Sequence, residues 1–581
     1  MLTRSKIKVF YPYGLIALLS IFLLTPQLFQ RSLIFSADWL FHMNRFYETA
    51  MQIEHGTFNY FQSIYSFNQS GRVINAMYGA DFAYFSGLIL LLTKNWYRFE
   101  LVMNFLCLFF AGLNMYKLSQ YTGLKNKIAL ICAIFYMGSP SVIYWITHQG
   151  FSGIGYCLLP LALIPAVRMV KNRANPIKPV FLGLIMALLI SVHLFTAALS
   201  TILLAPFFIY CFYYSVNKKR VILQAFSAVL IAIGLSANTF FAYIDLMGNN
   251  LAYPFIPKEL YSTTAYLSTN SMNFRNFGLI LSTIFIFQIV YMFSYWKNLS
   301  IIERFLNVIG SMFLLFSSSY FPWNHLTELF PALLRIQFLR RFMGVPSLLL
   351  ILAFGLSLKR ILLEFKFKSS QKNILILLTT FALLNLTNGT KMIDNQAKLW
   401  NSNDPLSADT NVAEQLVQDP HQIRKLLTNS DNLSDAFKVS QKPTPDYLPV
   451  GPNLKSGYAT YSKEILNTPI DVTHRITENA TLELAWNGND YKEKELTLPV
   501  IIYKNSEVKL NGKILSKNEY TTSDIGSLII KNPQQKNKVE VSYRPGKLFY
   551  VSWYIKIFTI LVLLIHMIMK KIRNKSLFTQ L

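Results

Sequence analysis

Residues 549–569 have the sequence FYVSWYIKIFTILVLLIHMIM, and the basic stretch KKIRNK follows directly at 570–575. A transmembrane helix needs about 20 predominantly apolar residues, so this segment is long enough to cross a bilayer. Other apolar stretches near that length recur between Tyr11 and Leu384. The sequence therefore predicts a polytopic α-helical membrane protein.

The composition of the chain supports this class. Apolar residues make up 52% of the 581 residues and charged residues only 14%, whereas soluble domains carry about 25% charged residues. The net charge of +26 comes from short basic clusters between apolar segments rather than from one basic stripe. This distribution is typical of cytoplasmic loops and argues against a nucleic-acid partner. The four cysteines lie within apolar segments without metal-ligand spacing, so neither a disulfide framework nor a zinc site is expected.

The basic clusters also predict the orientation. Arg4, Lys6 and Lys8 precede the first apolar run, Val9–Leu28, which is too long for a signal-peptide core. We therefore expect a retained first helix with a cytoplasmic N-terminus, followed by a large outside loop over residues 30–98. Regular alternation of apolar segments and basic clusters then predicts about twelve spans in the cell (cytoplasmic) membrane, with both termini cytoplasmic.

One apolar stretch in the outside loop, residues 82–92, is short for a span. A re-entrant or interfacial helix is predicted there. A full span would invert everything downstream and place the basic clusters outside, which the positive-inside bias disfavours.

The composition divides the chain into three parts. Residues 1–390 form the main transmembrane part, residues 391–547 are polar and predicted to be an extracytoplasmic α+β domain, and residues 548–581 contain the last span and a basic cytoplasmic tail. Alternating apolar residues from about 481 onward predict strands, and Asn511-Gly512 between two alternating arms is typical of a type I′ hairpin. We expect a small antiparallel β-sandwich tethered at both ends to membrane helices.

The first outside loop holds the strongest candidate for chemistry. Asp38, His42 and Arg45 are spaced four and three residues apart, so a helix would project all three from one face. Such a group could hold a phosphate while the carboxylate accepts a proton from an attacking hydroxyl. The alternative is a solvated amphipathic helix that Asp38 caps at its N-terminus.

A second polar concentration lies in the loop at residues 319–342. It carries Arg335, Arg340 and Arg341 on the outer side, where cationic residues are disfavoured. The planar guanidinium fork suits phosphate oxygens, so a lipid-linked phosphate is a candidate partner. Alternatively these arginines contact ordinary lipid headgroups or pair with Glu328.

Three further residues are secondary candidates. His148 and His193 lie at the outer ends of predicted spans, where a histidine is more often a satisfied polar group than an acid or base. Asp81 could be a second loop carboxylate for a metal, although an Asp after Gly79-Ala80 more often forms a turn.

Several stretches together resemble one bacterial family. They are DWLFH at 38–42 with Arg45, EHGTF at 54–58, IQFLRRF at 336–342, DYLP at 446–449 and NGK at 511–513. In this order they resemble the membrane proteins labelled "6-pyruvoyl-tetrahydropterin synthase related", which are similar to GT-C glycosyltransferases and YfhO-like proteins and have no pterin chemistry. Leu339 and Arg340 stand where that family usually has Pro and Trp, whereas Arg341 matches.

The resemblance implies a GT-C-like glycosyltransferase that transfers a sugar from a polyprenyl-phosphate carrier to an extracytoplasmic acceptor, either a cell-surface glycopolymer or a lipid-linked glycan. In such enzymes the catalytic carboxylate lies in the first outside loop, and Asp38 matches that position. The chain has no nucleotide-binding glycine motif. No cofactor is certain from the resemblance, and a divalent cation, Mg²⁺ or Mn²⁺, stays open.

Two other functions stay open at this point. A flippase for lipid-linked glycans would place ionisable residues deep within its spans, whereas the spans between residues 99 and 389 are nearly free of them. A non-catalytic scaffold for assembling surface polysaccharide could use the same fold, because a fold does not determine a function.

Overall fold

The computed structural model describes residues 4–36, 38–364, 367–406, 413–429, 432–491, 495–531 and 535–578. The part before the polar domain is almost entirely helical. Its helices in chain order are α1 (Arg4–Leu23), α2 (Thr25–Gln30), α3 (Trp39–His55), α4 (Ile74–Tyr78), α5 (Ala80–Thr93), α6 (Trp96–Thr122), α7 (Asn126–Met137), α8 (Pro140–His148), α9 (Ser152–Lys171), α10 (Pro179–Val192), α11 (Leu194–Tyr214), α12 (Lys218–Leu235), α13 (Ala237–Leu246), α14 (Gly278–Tyr295), α15 (Ile301–Ser317), α16 (Trp323–Leu329), α17 (Gly344–Glu364) and α18 (Lys368–Trp400).

The polytopic helical architecture agrees with the sequence prediction. Within the described residues, seven helices are long and apolar enough to cross a membrane, or nine if two bent pairs are each one span. The bent pairs are α7 with α8 (40°) and α12 with α13 (65°). Three other predicted spans fall on α1, α10 and α15. The apolar part of α1 is only Phe10–Leu23, and α10 and α15 have 14 and 17 residues in total, so all three are short for a span. The predicted count of about twelve spans is therefore not confirmed.

The apolar stretch at residues 82–92 lies in α5, which has 14 residues. At a rise of about 1.5 Å per residue this helix is about 21 Å long, shorter than the bilayer core of about 30 Å. It packs against α3 instead, where Thr49 Oγ1 donates a hydrogen bond of 2.7 Å to the carbonyl of Ala83. A helix shorter than a span is thus present, and its re-entrant or interfacial placement stays a prediction.

The loops that carry the basic clusters meet at one end of the bundle. Lys171 Nζ donates to the Tyr121 carbonyl at 2.8 Å, and Lys359 Nζ donates to the Gly123 carbonyl at 3.1 Å. At the other end, Gln149 after α8 donates to the Ile34 carbonyl in the first loop at 2.8 Å. Predicted inside loops and predicted outside loops thus lie at opposite ends.

We expect accessibility in cells to follow this arrangement. Lys94, Ala174 and Asn511 are all exposed, and the native cysteines are buried. In intact cells a membrane-impermeant maleimide should label Lys94→Cys and Asn511→Cys, whereas Ala174→Cys should react only after the membrane is opened. Labelling of Ala174→Cys alone would reverse the proposed orientation.

The described residues of the polar domain form short helices and ten strands and lead into the last helix. The helices of the domain are α19 (Pro420–Arg424) and α20 (Gly457–Tyr461), and the last span lies in α21 (Lys547–Phe578). The strands are β1 (Glu414–Gln415), β2 (Ser440–Gln441), β3 (Thr473–Ile476), β4 (Leu482–Asn487), β5 (Glu495–Ile501), β6 (Ser506–Leu510), β7 (Lys513–Ile514), β8 (Thr521–Thr522), β9 (Ser527–Lys531) and β10 (Lys536–Tyr543). Before this domain, α18 continues to Trp400, past residue 390.

Strands β3 to β10 form the expected antiparallel sandwich, whereas β1 and β2 pair separately. One sheet has the order β3-β4-β10-β6-β7 and the other β5-β9-β8, with antiparallel pairing in both. Buried apolar side chains of both sheets share one core, for example Leu484, Val541 and Leu498. Asn511 and Gly512 both have positive φ, 49° and 87°, between the paired strands β6 and β7. The hairpin prediction is confirmed, because a type I′ turn requires this backbone conformation.

Candidate functional site

Asp38 lies directly before α3 and does not cap it. Its backbone has φ −106° and ψ 1°, and its side chain makes no capping hydrogen bond. Asp38 is exposed as a residue, and its carboxylate makes no hydrogen bond or ion pair with any residue in the described part of the chain. The helix predicted here is present, but the capping explanation for Asp38 does not hold. Its carboxylate is available for another partner.

Charges from distant parts of the chain surround this carboxylate. Lys442 and Asp446 approach from the polar domain, and Arg340 and Arg341 from the turn before α17. Solvent reaches Asp38, yet protein atoms crowd it on several sides. This loss of hydration raises the pKa of the carboxyl above its ordinary value of 3.8, Lys442 opposes that shift, and Asp446 adds to it.

Arg341 is a cation held in place by its surroundings. Its Nη1 donates to the Ile336 carbonyl at 3.2 Å, and the guanidinium lies over the rings of Phe338 and Phe195, at 5.1 and 5.5 Å. Among the described residues no carboxylate forms an ion pair with it. A fixed guanidinium of this kind suits an anion such as a phosphate.

Arg340 lies beside it among aromatic rings. Its guanidinium is 3.9 Å from the centre of the Phe338 ring and 5.2 Å from that of Phe274, and Nη2 donates to the Tyr144 hydroxyl at 3.2 Å. The His148 ring belongs to the same aromatic group, since it lies 4.1 Å from Phe274. The structure therefore brings Arg340 and His148 close to each other.

Arg335 is placed differently from the other two arginines. It is exposed and lies over the ring of Tyr253 at 4.7 Å, and it is not among the charges that influence Asp38. Glu328 lies 3.7 Å from Nδ1 of the exposed His325. The suggested pairing of the arginines with Glu328 is thus not present in the described structure.

His42 and Arg45 point into the core, whereas Asp38 is exposed. The His42 ring is 4.8 Å from Phe151 in a stacked arrangement, and its Nδ1 lies 3.4 Å from Arg45 Nη1. Burial, followed by the charge of Arg45, lowers the pKa of His42 well below 6.5, so the ring is neutral and its Nδ1 accepts the hydrogen bond. His42 thus serves to position Arg45.

Arg45 holds the end of α4. Its Nε donates to Asn75 Oδ1 at 3.1 Å, and its Nη2 lies 3.2 and 3.3 Å from the carbonyls of Tyr78 and Gly79. Burial lowers the pKa of Arg45 to about 10, which leaves it charged at neutral pH. The predicted face of three residues is therefore divided into one accessible acid and two buried groups.

The other secondary candidates have defined partners. His193 Nδ1 lies 2.7 Å from Thr196 Oγ1, near Arg341. Asp81 lies in the first turn of α5, where its Oδ2 is 2.8 Å from Lys556 Nζ of α21 and its Oδ1 accepts from Asn238 at 3.0 Å. Asp81 therefore joins the last helix to the bundle. In the part of the chain that the structure describes, no three His, Cys, Asp or Glu side chains converge on a metal site.

Asp446 and Lys442 were not among the predicted site residues. Buried Arg72 of the first loop holds their segment in place by donating to Thr444 Oγ1 at 2.6 Å and to the carbonyl of Asp446. Burial raises the pKa of Asp446, and Arg72 opposes this shift. The available sequence signal was the DYLP stretch, where Tyr447 has a positive φ of 61°, which is uncommon for an aromatic residue.

The sequence matches no protein-family description and no curated protein. Among solved structures, the mycobacterial arabinofuranosyltransferase AftD is similar, with a TM-score of 0.43 and 14% identity over 68% of this chain and 27% of that one. An oligosaccharyltransferase from Archaeoglobus fulgidus has a TM-score of 0.41 and 11% identity over 68% of this chain and 56% of that one. The chain thus spans about a quarter of the first structure and about half of the second.

Proposed function

We propose that this protein is a membrane glycosyltransferase that moves a sugar from a polyprenyl-phosphate carrier to a hydroxyl group outside the cytoplasm. The observation that carries the proposal is the uncapped carboxylate of Asp38, on which both the arginines of the membrane part and charged groups of the polar domain act. A carboxylate beside fixed guanidinium groups provides both a base and an anion site.

The reaction is a displacement at the anomeric carbon. The acceptor oxygen forms a bond to that carbon as the bond from the carbon to the carrier phosphate breaks. Asp38 accepts the proton of the acceptor hydroxyl, and the bonding electron pair leaves with the phosphate oxygen. Arg341 and Arg340 offset the negative charge that develops there.

A divalent cation is an optional part of this proposal. Asp38, and Asp446, whose charge acts on Asp38, are the carboxylates that would hold it, with water and substrate phosphate as its other ligands, as is common for Mg²⁺. The cation would add to the positive charge facing the leaving phosphate. Chelation by EDTA without loss of transfer would show that the arginines suffice.

The direct test is turnover by the purified full-length chain. A polyprenyl-phosphate donor with a radiolabelled sugar should lose its label to a hydroxyl acceptor, at a rate that depends on Asp38. A scaffold would bind donor or acceptor without transferring label, so binding without transfer would contradict the proposal.

The pH dependence should identify Asp38 as the base. The base must be ionised, and the pKa of Asp38 lies above 3.8, so kcat/KM should fall about tenfold per pH unit below that raised pKa. Because the charge of Asp446 adds to the upward shift, Asp446→Asn should move the acidic limb to lower pH. A limb that stays in place in this variant would contradict the assignment.

A further inference from the structure

A cleft opens between α3, the loop that follows it, and the polar domain. Its volume is about 470 Å³, within the range of about 300–1,000 Å³ for small-ligand sites. One wall comes from residues of α3 and the loop, such as Asn44 and Asn68, and the other from residues of the polar domain, such as Gln441, Lys442 and Thr468.

The cleft lining combines aromatic rings with amide groups. Phe41 and Tyr65 contribute half-buried rings, and Asn68 and Gln441 contribute amides. Aromatic faces pack against the C–H faces of sugar rings, and an amide can donate to one hydroxyl and accept from another. This mixture suits a neutral polyhydroxylated chain.

The turn that carries Asn68 is strained. Phe67, Asn68 and Gln69 have φ values of 50°, 58° and 48°, and this left-handed conformation is unfavourable for most residues other than Gly. Asn44 Oδ1 accepts from the Phe67 backbone N–H at 2.7 Å. Such strain persists where surrounding contacts enforce it, and it occurs often at ligand-binding positions.

Buried Glu48 supports the same turn from below. Its carboxylate accepts backbone N–H groups of Ile64, Tyr65 and Ser66 at 2.8–2.9 Å. The turn therefore rests on a rigid base, while Asn68 is exposed and its amide has no hydrogen-bond partner among the described residues. The turn thus holds the Asn68 amide at the cleft, where it can form hydrogen bonds with a bound ligand.

The cleft lies beside the segment that carries Asp38, because Leu40 and Phe41 line it. Lys442 lines the cleft and also influences Asp38. Thr444, a further lining residue, accepts the hydrogen bond from Arg72, which also holds Asp446. A molecule in the cleft would reach Asp38 from the polar domain, while a lipid-linked phosphate would reach it from the membrane.

We propose that this cleft binds an oligosaccharide segment of the acceptor. The proposal rests on the glycosyltransferase function proposed above and adds the chemical class of the acceptor. Asn68 is a specificity-determining residue in it, because its amide meets the sugar hydroxyls and takes no part in the chemistry.

The test is oligosaccharide binding by the purified full-length chain, measured by saturation-transfer NMR with chitohexaose, cellohexaose and mannohexaose as probes. We expect at least one probe to bind. Asn68→Gly keeps the left-handed backbone and removes the amide, so binding should weaken about tenfold. Thr468→Trp fills the cleft and should abolish binding.

Two matched variants complete the design. Asn511→Gly removes another asparagine with positive φ, at the hairpin between β6 and β7, and should leave binding unchanged. Asp38→Asn should also bind normally, because Asp38 acts in the transfer step. The cleft assignment would be overturned if no probe binds, or if Asn68→Gly and Thr468→Trp bind a probe as tightly as the unchanged protein. The proposed transferase function, by contrast, fails only if label transfer fails.

Discussion

Asp38→Asn should lower glycosyl transfer by about 10²–10⁴-fold, the usual contribution of a general base. The amide keeps the shape of the side chain but cannot accept the proton of the acceptor hydroxyl. The variant should fold and reach the membrane in normal amounts, since Asp38 makes no capping bond that would be lost. The measurement is label transfer from a polyprenyl-phosphate sugar, normalised to purified protein.

The stability of this variant follows from the sign of the pKa shift. Because the pKa of Asp38 is raised in the folded protein, its ionisation disfavours folding as the pH rises above its ordinary value of 3.8. Removing the ionisable group should therefore not lower the thermal midpoint at neutral pH. A clear drop in that midpoint would point to a structural role.

Asp419 offers a matched control. It begins α19 as Asp38 begins α3, but its Oδ1 accepts the His421 backbone N–H at 3.0 Å. Asn caps as well as Asp, so Asp419→Asn should leave both stability and transfer unchanged. If Asp38→Asn behaves like Asp419→Asn, the carboxylate is not the base and a scaffold becomes the better description of the protein.

Arg341→Ala should weaken donor use by about 2–5 kcal/mol in kcat/KM, the range for losing one partner of a desolvated charge contact. Arg341→Lys should recover only part of this, because an ammonium lacks the planar fork that binds two phosphate oxygens. The measurement is kcat/KM for the lipid-linked donor in purified protein.

Arg335 is the control for this experiment. It lies in the same loop but is exposed over Tyr253, so Arg335→Ala should change donor kinetics little. Equal effects of Arg335→Ala and Arg341→Ala would assign the cluster to general attraction of anionic lipid. Unchanged donor kinetics in Arg341→Ala would show that Arg341 does not bind the donor phosphate.

Features set by local sequence could be predicted. The long apolar run of α21 indicates membrane insertion by length alone. Asn511-Gly512 determines its turn because few residues accept two successive positive φ angles. The spacing of Asp38, His42 and Arg45 correctly predicts the helix α3, because helical periodicity is a local property.

Features set by distant contacts could not be predicted. Lys442 and Asp446 act on Asp38 although they are about 400 positions away in the chain. A short sequence motif carries no information on contacts over that separation. The helical spacing likewise predicted that His42 and Arg45 share one face of the helix. It did not predict that this face is buried against Phe151. The number of spans depends on whether the helices that meet at the bends after α7 and α12 are counted together. A hydropathy profile does not show such bends.

The ion pair between Asp81 and Lys556 has a consequence for the order of synthesis. The two residues are 475 positions apart, and a ribosome adding 5–20 residues per second needs about 24–95 s to cover that distance. Until Lys556 of α21 has been added, Asp81 lacks this cation. The contact between α5 and α21 can therefore form only after the helices that lie between them in the chain have been synthesised.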